Sequence, residues 1–170
     1  MAEIPWVRDP DEGLRRAQAA GKPTWCEKTP FNLLSVPFLL ELFPEATVVV
    51  IMRHPVLVAA SHLDQPWAPS TLEGVLDWLE PVYRRWLAQR PALLRDRRYV
   101  EVKAETLAAS WPDSRRELFG RLGLPDADTA STFAAGRLAA RRAQLSDSEH
   151  AEVASRLGWA AEELGYPARP

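Results

Sequence analysis

From Ala46 to Met52 the chain runs through seven apolar or β-branched residues without a charge, turns at Arg53-His54-Pro55, and resumes as an apolar segment ending at Ser61. A short uninterrupted run rich in Val and Ile predicts a strand buried on both faces, the kind found inside a parallel sheet. Pro55 cannot continue a ladder, but its fixed φ suits the first turn of a helix. The unit therefore reads as strand, tight turn, helix. Ligands of open α/β sheets gather at the carboxyl ends of strands, which places Arg53 where a ligand is expected.

The flanking pattern supplies the other elements. Residues 1–20 read as a loosely ordered lead-in, polar at first, with a short helix over Glu12–Ala20 closed by Gly21. Thr24–Glu27 has the aromatic and β-branched character of a brief strand. Val36, Leu39, Leu40 and Phe43 fall at helical spacing, in a helix started by Asn32 or Ser35 and ended before Pro44. Ser70 and Glu73 form a capping box for a helix carrying Leu72, Val75, Leu76, Leu79, Tyr83, Trp86 and Leu87 on one face. Pro81 is expected to kink or split it. Arg84, Arg85 and Arg90 on its later turns read as a solvated face. Tyr99–Lys103 alternates, which predicts a strand with one polar side. Helices follow over Asp113–Leu122, stopped by Gly123, and over Asp126–Phe133. Gly136–Arg142 is basic and ambiguous. Ser146 and Glu149 form a second capping box, opening a last helix that ends at Gly165-Tyr166-Pro167. Strands alternating with helices point to α/β layers in one domain spanning 1–170.

Composition narrows the class. An apolar content of 46% argues against disorder, and a net charge of -2 gives no electrostatic footprint for nucleic acid or a membrane surface. The single cysteine, Cys26, excludes an internal disulfide and fits a reducing compartment. The first residues lack an apolar core flanked by basic residues, and no apolar run reaches the roughly 20 residues of a membrane helix. A cytoplasmic protein is expected. Arg outnumbers Lys, and Ala, Leu and Pro are abundant, a bias of GC-rich bacterial genomes.

Three scattered histidines and one cysteine give no metal-ligand spacing, so no metal is expected. No Gly-x-Ser-x-Gly elbow supports a hydrolase triad. Phosphate binding is better supported. Arg53 offers a planar donor fork, and the turn to Pro55 is expected to expose helix N-terminal amides that favour an anion. Ser61 adds a hydroxyl two turns on, about 9 Å along the helix axis. Lys28, after a predicted strand end and before Thr-Pro, is placed to stabilise charge on a bridging oxygen in a group transfer. Read alone it is a solvated loop lysine.

Together, WCEKTPFNLLSVPFLLELFPEATVVVIMRHPVLVAASHL resembles the middle of the sulfotransferase family. Members carry a Lys-Thr-Pro or Lys-Asp-Pro loop, a helix closing in Phe-Pro, an apolar strand, an Arg-x-Pro turn and a Ser eight residues after the Arg. YVEVKAETLAASWPDSRRELFGRLGLP resembles the family's Tyr-Glu-x-Leu region, with Glu105 and Leu107 matching and Ala104 in place of the usual aromatic. The end, through Leu164-Gly165-Tyr166, is similar as well. The resemblance covers about Gly21 to Pro167 and implies a three-layer α/β fold of the P-loop-NTPase type, a mostly parallel sheet with helices on both faces.

It implies 3′-phosphoadenosine 5′-phosphosulfate as sulfuryl donor, with Lys28 near the sulfuryl group and Arg53 and Ser61 on the 3′-phosphate. Arg137 matches, loosely, a basic segment closing over the same phosphate. The acceptor would be a small molecule or glycan bearing a hydroxyl or amine, with Trp67 and Trp78 candidates to meet it and Trp86 a core residue. Two departures stand out. No Gly-rich loop for the 5′-phosphosulfate precedes Gly21, so the chain reads as the C-terminal two-thirds of the family's domain, with apolar strand surface expected to lie uncovered. Pro30 occupies the place where some members carry a general-base histidine. The alternatives are a degenerate, non-catalytic module binding a nucleotide or a protein, and a kinase-like relative of the wider P-loop fold.

Overall fold

In the computed structural model, described for residues 10–22, 24–126 and 145–169, the apolar run becomes strand β1, Val48–Met52, and the alternating segment becomes β2, Tyr99–Lys103. The two pair in parallel, Val48 opposite Tyr99 through Met52 opposite Lys103. Parallel strands need a long crossover. Here it is helical: α3, Pro55–Leu63, then α4, Leu72–Leu93. Between them α3 and α4 hold most of the larger core. Val75 and Leu76 are fully buried, and Ala59, Ala60, Leu79 and Trp86 lie with them. The last helix, α7, Asp147–Glu163, completes that core with Val153, Leu157 and Ala160. A smaller cluster joins Val36, Leu40, Leu93 and Tyr99, tying α2, Val36–Leu42, to the sheet. After β2 come the short α5, Ala104–Ala109, and α6, Trp111–Arg121.

The chain divides at residues 32 and 33 into two compact units. In the first, α1, Pro10–Ala19, is followed by Gly21 at φ 64°, and Lys22 N–H donates to Ala17 C=O at 2.8 Å, a Schellman closure. Thr24–Glu27 is not a strand; among the described residues the sheet has two strands. Four residues without a partner strand cannot hold an extended ladder. A 3₁₀ turn, Pro30–Ser35, leads into α2.

Several expectations change. β1 is not buried on both faces. Val48, Val50 and Met52 turn toward the two cores, whereas Ile51 on the opposite face is 54% exposed. The polar side of β2 does not face water either: Glu101 is nearly buried against α4 and held by Arg90, with Nη2 to Oε2 at 2.9 Å. Arg90 thus leaves the solvated face expected of it, and Arg84, paired with Glu80 at 2.6 Å, stays there. Pro81 neither splits nor ends α4, which is continuous through Pro81 and Pro91. Pro81 is exposed, so the carbonyl it leaves without an amide partner opens to water, and the buried face carries the helix through. The α4 cap is Thr71 rather than Ser70, its Oγ accepting from Gly74 N–H at 3.2 Å. A side chain at Gly74 would place Cβ 2.9 Å from Pro69, so only glycine fits under this cap. The second capping box forms as expected, Ser146 and Glu149 each closing the other's backbone N–H. The expected helix Asp126–Phe133 lies almost wholly outside the described residues, as do Gly136–Arg142 and Arg137. No helix among the described residues is long and apolar enough to cross a membrane.

Candidate functional site at the carboxyl end of the sheet

Arg53 follows the last paired rung of the ladder, Met52 opposite Lys103, and stands half-buried at the carboxyl end of β1. His54 comes next and is only 2% exposed. Both of its ring nitrogens are engaged: Nε2 lies 2.9 Å from the Pro167 carbonyl, and Nδ1 accepts from Val56 N–H at 3.2 Å. A carbonyl can only accept, so Nε2 carries the proton and the ring is the neutral Nε2–H tautomer. His54 is thereby the N-cap of α3, with Pro55 at its first position.

This cap alters the expected chemistry. Val56 N–H goes to the His54 ring, and the N–H groups of Leu57 and Val58 go to the His54 carbonyl at 2.9 and 3.0 Å. Pro55 has no N–H. The first-turn amides expected to meet an anion are committed within the helix, and Pro55, Val56 and Leu57 are buried. An anion at this end would have to be met by side chains.

Two further segments converge here. From α5, Glu105 accepts the His54 backbone N–H at 3.2 Å through one carboxylate oxygen and the Tyr166 hydroxyl at 3.1 Å through the other. From the C-terminal side of α7, Gly165 at φ 67° closes the helix, as its N–H reaches Glu162 C=O and Tyr166 N–H reaches Ala161 C=O. That turn delivers Tyr166 edge-on to His54, with ring centroids 5.3 Å apart. Lys103, at the end of β2, donates to Gly165 C=O at 2.6 Å and stands 4.3 Å over the Tyr166 ring. Burial and the Glu105 carboxylate push the Tyr166 phenol well above its ordinary pKa, while the Arg53 guanidinium pulls the other way, so Arg53 lies within the field of this cluster.

Ser61 is half-buried two turns along α3, its hydroxyl donating to the Val58 carbonyl at 2.9 Å. To donate to an anion it would have to leave that bond. At the far end of α3, His62 donates through Nδ1 to Val58 C=O at 2.8 Å and meets Trp67 and Trp78 edge-on at 5.3 and 5.2 Å. Trp67 is 58% exposed and Trp86 is buried.

In the first unit, Lys28 is exposed on a loop organised by its neighbour. The Glu27 carboxylate accepts from Thr29 Oγ and from Asn32 Nδ2, and Asn32 N–H donates to Thr29 C=O at 3.0 Å. The carboxylate thus ties the residue before Lys28 to Thr29 and Asn32 after it, while the lysine itself stays exposed. Sequence reasoning names Lys28, Arg53 and Ser61 but misses the roles of Glu27, His54 and Glu105. A signal exists for two of them. Glu27 is followed by hydrogen-bonding residues two and five positions on, and His54 occupies the N-cap slot before a proline. Glu105 has no local signal.

No curated protein matches the chain. A profile of the sulfotransferase family matches residues 12–128, which include Lys28, Arg53, Ser61 and Glu105. The match spans more than half of the sequence, and the chain belongs to the sulfotransferase family.

Proposed function

We propose that the chain takes part in transfer of a sulfuryl group from 3′-phosphoadenosine 5′-phosphosulfate to an acceptor hydroxyl or amine. Arg53 and Ser61 hold the 3′-phosphate, and Lys28 neutralises charge on the bridging oxygen. In such an in-line displacement the acceptor oxygen or nitrogen bonds to sulfur as the bond from sulfur to the bridging phosphate oxygen breaks. The acceptor proton departs, and adenosine 3′,5′-bisphosphate leaves. Charge builds on the bridging oxygen, where a positioned cation is worth most.

The observation that carries this reading is the placement of Arg53. It is a half-buried guanidinium at the carboxyl end of a parallel strand, on a turn held by Glu105 and the C-terminal segment. The parallel β1–β2 pairing with its helical crossover supports the three-layer, P-loop-type architecture. Arg137 is assigned to the same phosphate on the resemblance alone. The acceptor is a small molecule or glycan, for which the exposed Trp67 face is the candidate surface.

Calorimetric titration with adenosine 3′,5′-bisphosphate tests the assignment. Arg53→Ala removes a charge-assisted bidentate contact and is expected to weaken binding by about 2 kcal/mol, roughly thirtyfold. Ser61→Ala is expected to cost less than about 1 kcal/mol, since its hydroxyl gives up a helix bond to reach the ligand. Equal affinities for wild type and Arg53→Ala would remove the 3′-phosphate from this site.

A further inference from the structure

Beyond the last rung of the ladder, where β1 gives way to a turn and β2 to the first residues of α5, the two segments meet again within two residues. On one side these are Arg53 and His54, on the other Ala104 and Glu105. Met52 is 8% exposed, His54 2% and Ala104 4%, so Arg53 is a half-buried residue among buried ones. Its backbone is tied on the N-terminal side by the sheet and on the C-terminal side by the Glu105 carboxylate on His54 N–H. We propose that Glu105 and Tyr166 are positioning residues for Arg53: the carboxylate, oriented by the Tyr166 hydroxyl, fixes the Arg53-His54-Pro55 turn and so aims the guanidinium, making docking of Gly165–Pro167 a condition for anion recognition. The proposal rests on the reading of Arg53 as the 3′-phosphate group.

The chemistry of the contacts supports it. Glu105 joins two elements through both oxygens, accepting from a backbone amide 51 positions away and a phenol 61 positions away. His54 Nε2–H on Pro167 C=O and Lys103 on Gly165 C=O fasten the same C-terminal stretch from both sides. A carboxylate accepts both bonds at once. An amide in its place has one accepting oxygen: it keeps the His54 N–H and can then meet the Tyr166 hydroxyl only by donating, which reverses that bond, removes the charge assistance from both and loosens the turn. A fork that must meet a phosphate in two parallel bonds is sensitive to such loosening.

The test is a calorimetric comparison of adenosine 3′,5′-bisphosphate with adenosine 5′-monophosphate on wild type, Arg53→Ala, Glu105→Gln and Tyr166→Phe, each also melted thermally. Wild type is expected to prefer the bisphosphate, and Arg53→Ala to lose that preference. Glu105→Gln is expected to weaken the bisphosphate roughly tenfold, or about 1.4 kcal/mol, and to leave the monophosphate unchanged. Tyr166→Phe removes a single oxygen and keeps the ring, so it holds the fold while disorienting the carboxylate; its loss is expected to run in the same direction. The sign discriminates. Deleting a negative charge near an anion tightens binding if Coulomb interaction alone acts, whereas loss of positioning weakens it. Unchanged or tighter bisphosphate binding in both variants, with the preference abolished in Arg53→Ala, overturns the positioning role and leaves the phosphate site standing. Parallel loss of both nucleotides with a lowered melting temperature also overturns it, as a purely structural effect. Preference retained in Arg53→Ala, or absent from wild type, overturns the site reading itself.

Discussion

Replacing Arg90 by alanine should reveal what holds the charged side of β2 against the helices. Glu101 is only 8% exposed and Arg90 21%. Arg90 Nε lies 2.9 and 3.1 Å from the two Glu101 oxygens and Nη2 lies 2.9 Å from one of them. The fourth contact is the Tyr99 hydroxyl at 2.8 Å, itself accepting from Trp86 Nε1–H at 3.0 Å. The pair holds the Arg90 guanidinium above its ordinary pKa, chiefly through these hydrogen bonds. Without Arg90, a nearly buried carboxylate keeps one neutral donor. Removing one partner of a fully buried pair costs about 3–5 kcal/mol. Arg90 is partly wet, so water can enter the space it vacates, and about 2–3 kcal/mol is the expected loss. For a domain of this size that lowers the melting temperature by about 5–10 °C. Urea unfolding should show a lower midpoint at unchanged slope. Adding Glu101→Gln should restore part of the loss, with a coupling of about 1.5 kcal/mol in the double-mutant cycle. A cost below about 0.5 kcal/mol, the size of an exposed pair, would refute the reasoning and return Arg90 to the solvated face.

Leu76, fully buried between α4 and its neighbours, should cost about 2–5 kcal/mol as Leu76→Ala. Ile51→Thr, at a 54% exposed position, should shift stability by no more than about 0.5 kcal/mol; equal effects in urea melts would contradict the assignment of faces on β1. On acidification the α4–α7 contact should weaken. Arg156 reaches both Glu80 and Asp77, and its hydrogen bond, with that of Arg84, lowers the Glu80 pKa. A carboxylate lowered in the folded state stabilises at pH above its unfolded pKa, and that contribution disappears as pH falls through the lowered value. Stability measured from neutral pH downward should fall less steeply in Glu80→Gln than in wild type, and the difference should shrink in high salt. Parallel curves would show that the clamp contributes nothing.

What is legible in this sequence is local. Ser146 with Glu149, Gly21, Gly165 and the apolar run before Pro55 each act within a few residues, and each forms as its chemistry dictates. The misreadings share a different cause. Thr24–Glu27 has strand-like residues but no partner strand, and pairing rather than propensity makes a strand. Ala104–Ala109 goes unread as a helix because six residues show no period. Pro81 reads as a break because the side of the helix that would meet the lost bond is not visible in sequence; on the exposed side the break is tolerated. Arg90 reads as solvated because Glu101 lies on another element. The candidate site divides the same way. Arg53 is legible from the strand end beside it. The closure of the α3 amides by His54, and the hold of Glu105 on His54, depend on side-chain geometry and on long-range contacts that no spacing announces.

The closed cap also explains why the site is built as it is. At a helix whose first amides point outward, an anion is recognised by many weak, fixed donors, and one loosened side chain changes little. Here the amides of residues 54, 56, 57 and 58 are committed inside the protein. On the proposed reading, recognition then rests chiefly on the long side chain of Arg53, whose guanidinium is planar and must arrive in the plane of its partner. The controlling quantity becomes how firmly the backbone of Arg53 is held rather than how many donors surround the ligand. On that reading Glu105 and Tyr166 hold the turn itself, and Lys103 fastens Gly165 and Tyr166 beside it. It also gives a physical reason for the Arg-His-Pro turn, the Ala-Glu-Thr-Leu stretch and the Leu-Gly-Tyr ending to occur together in one chain.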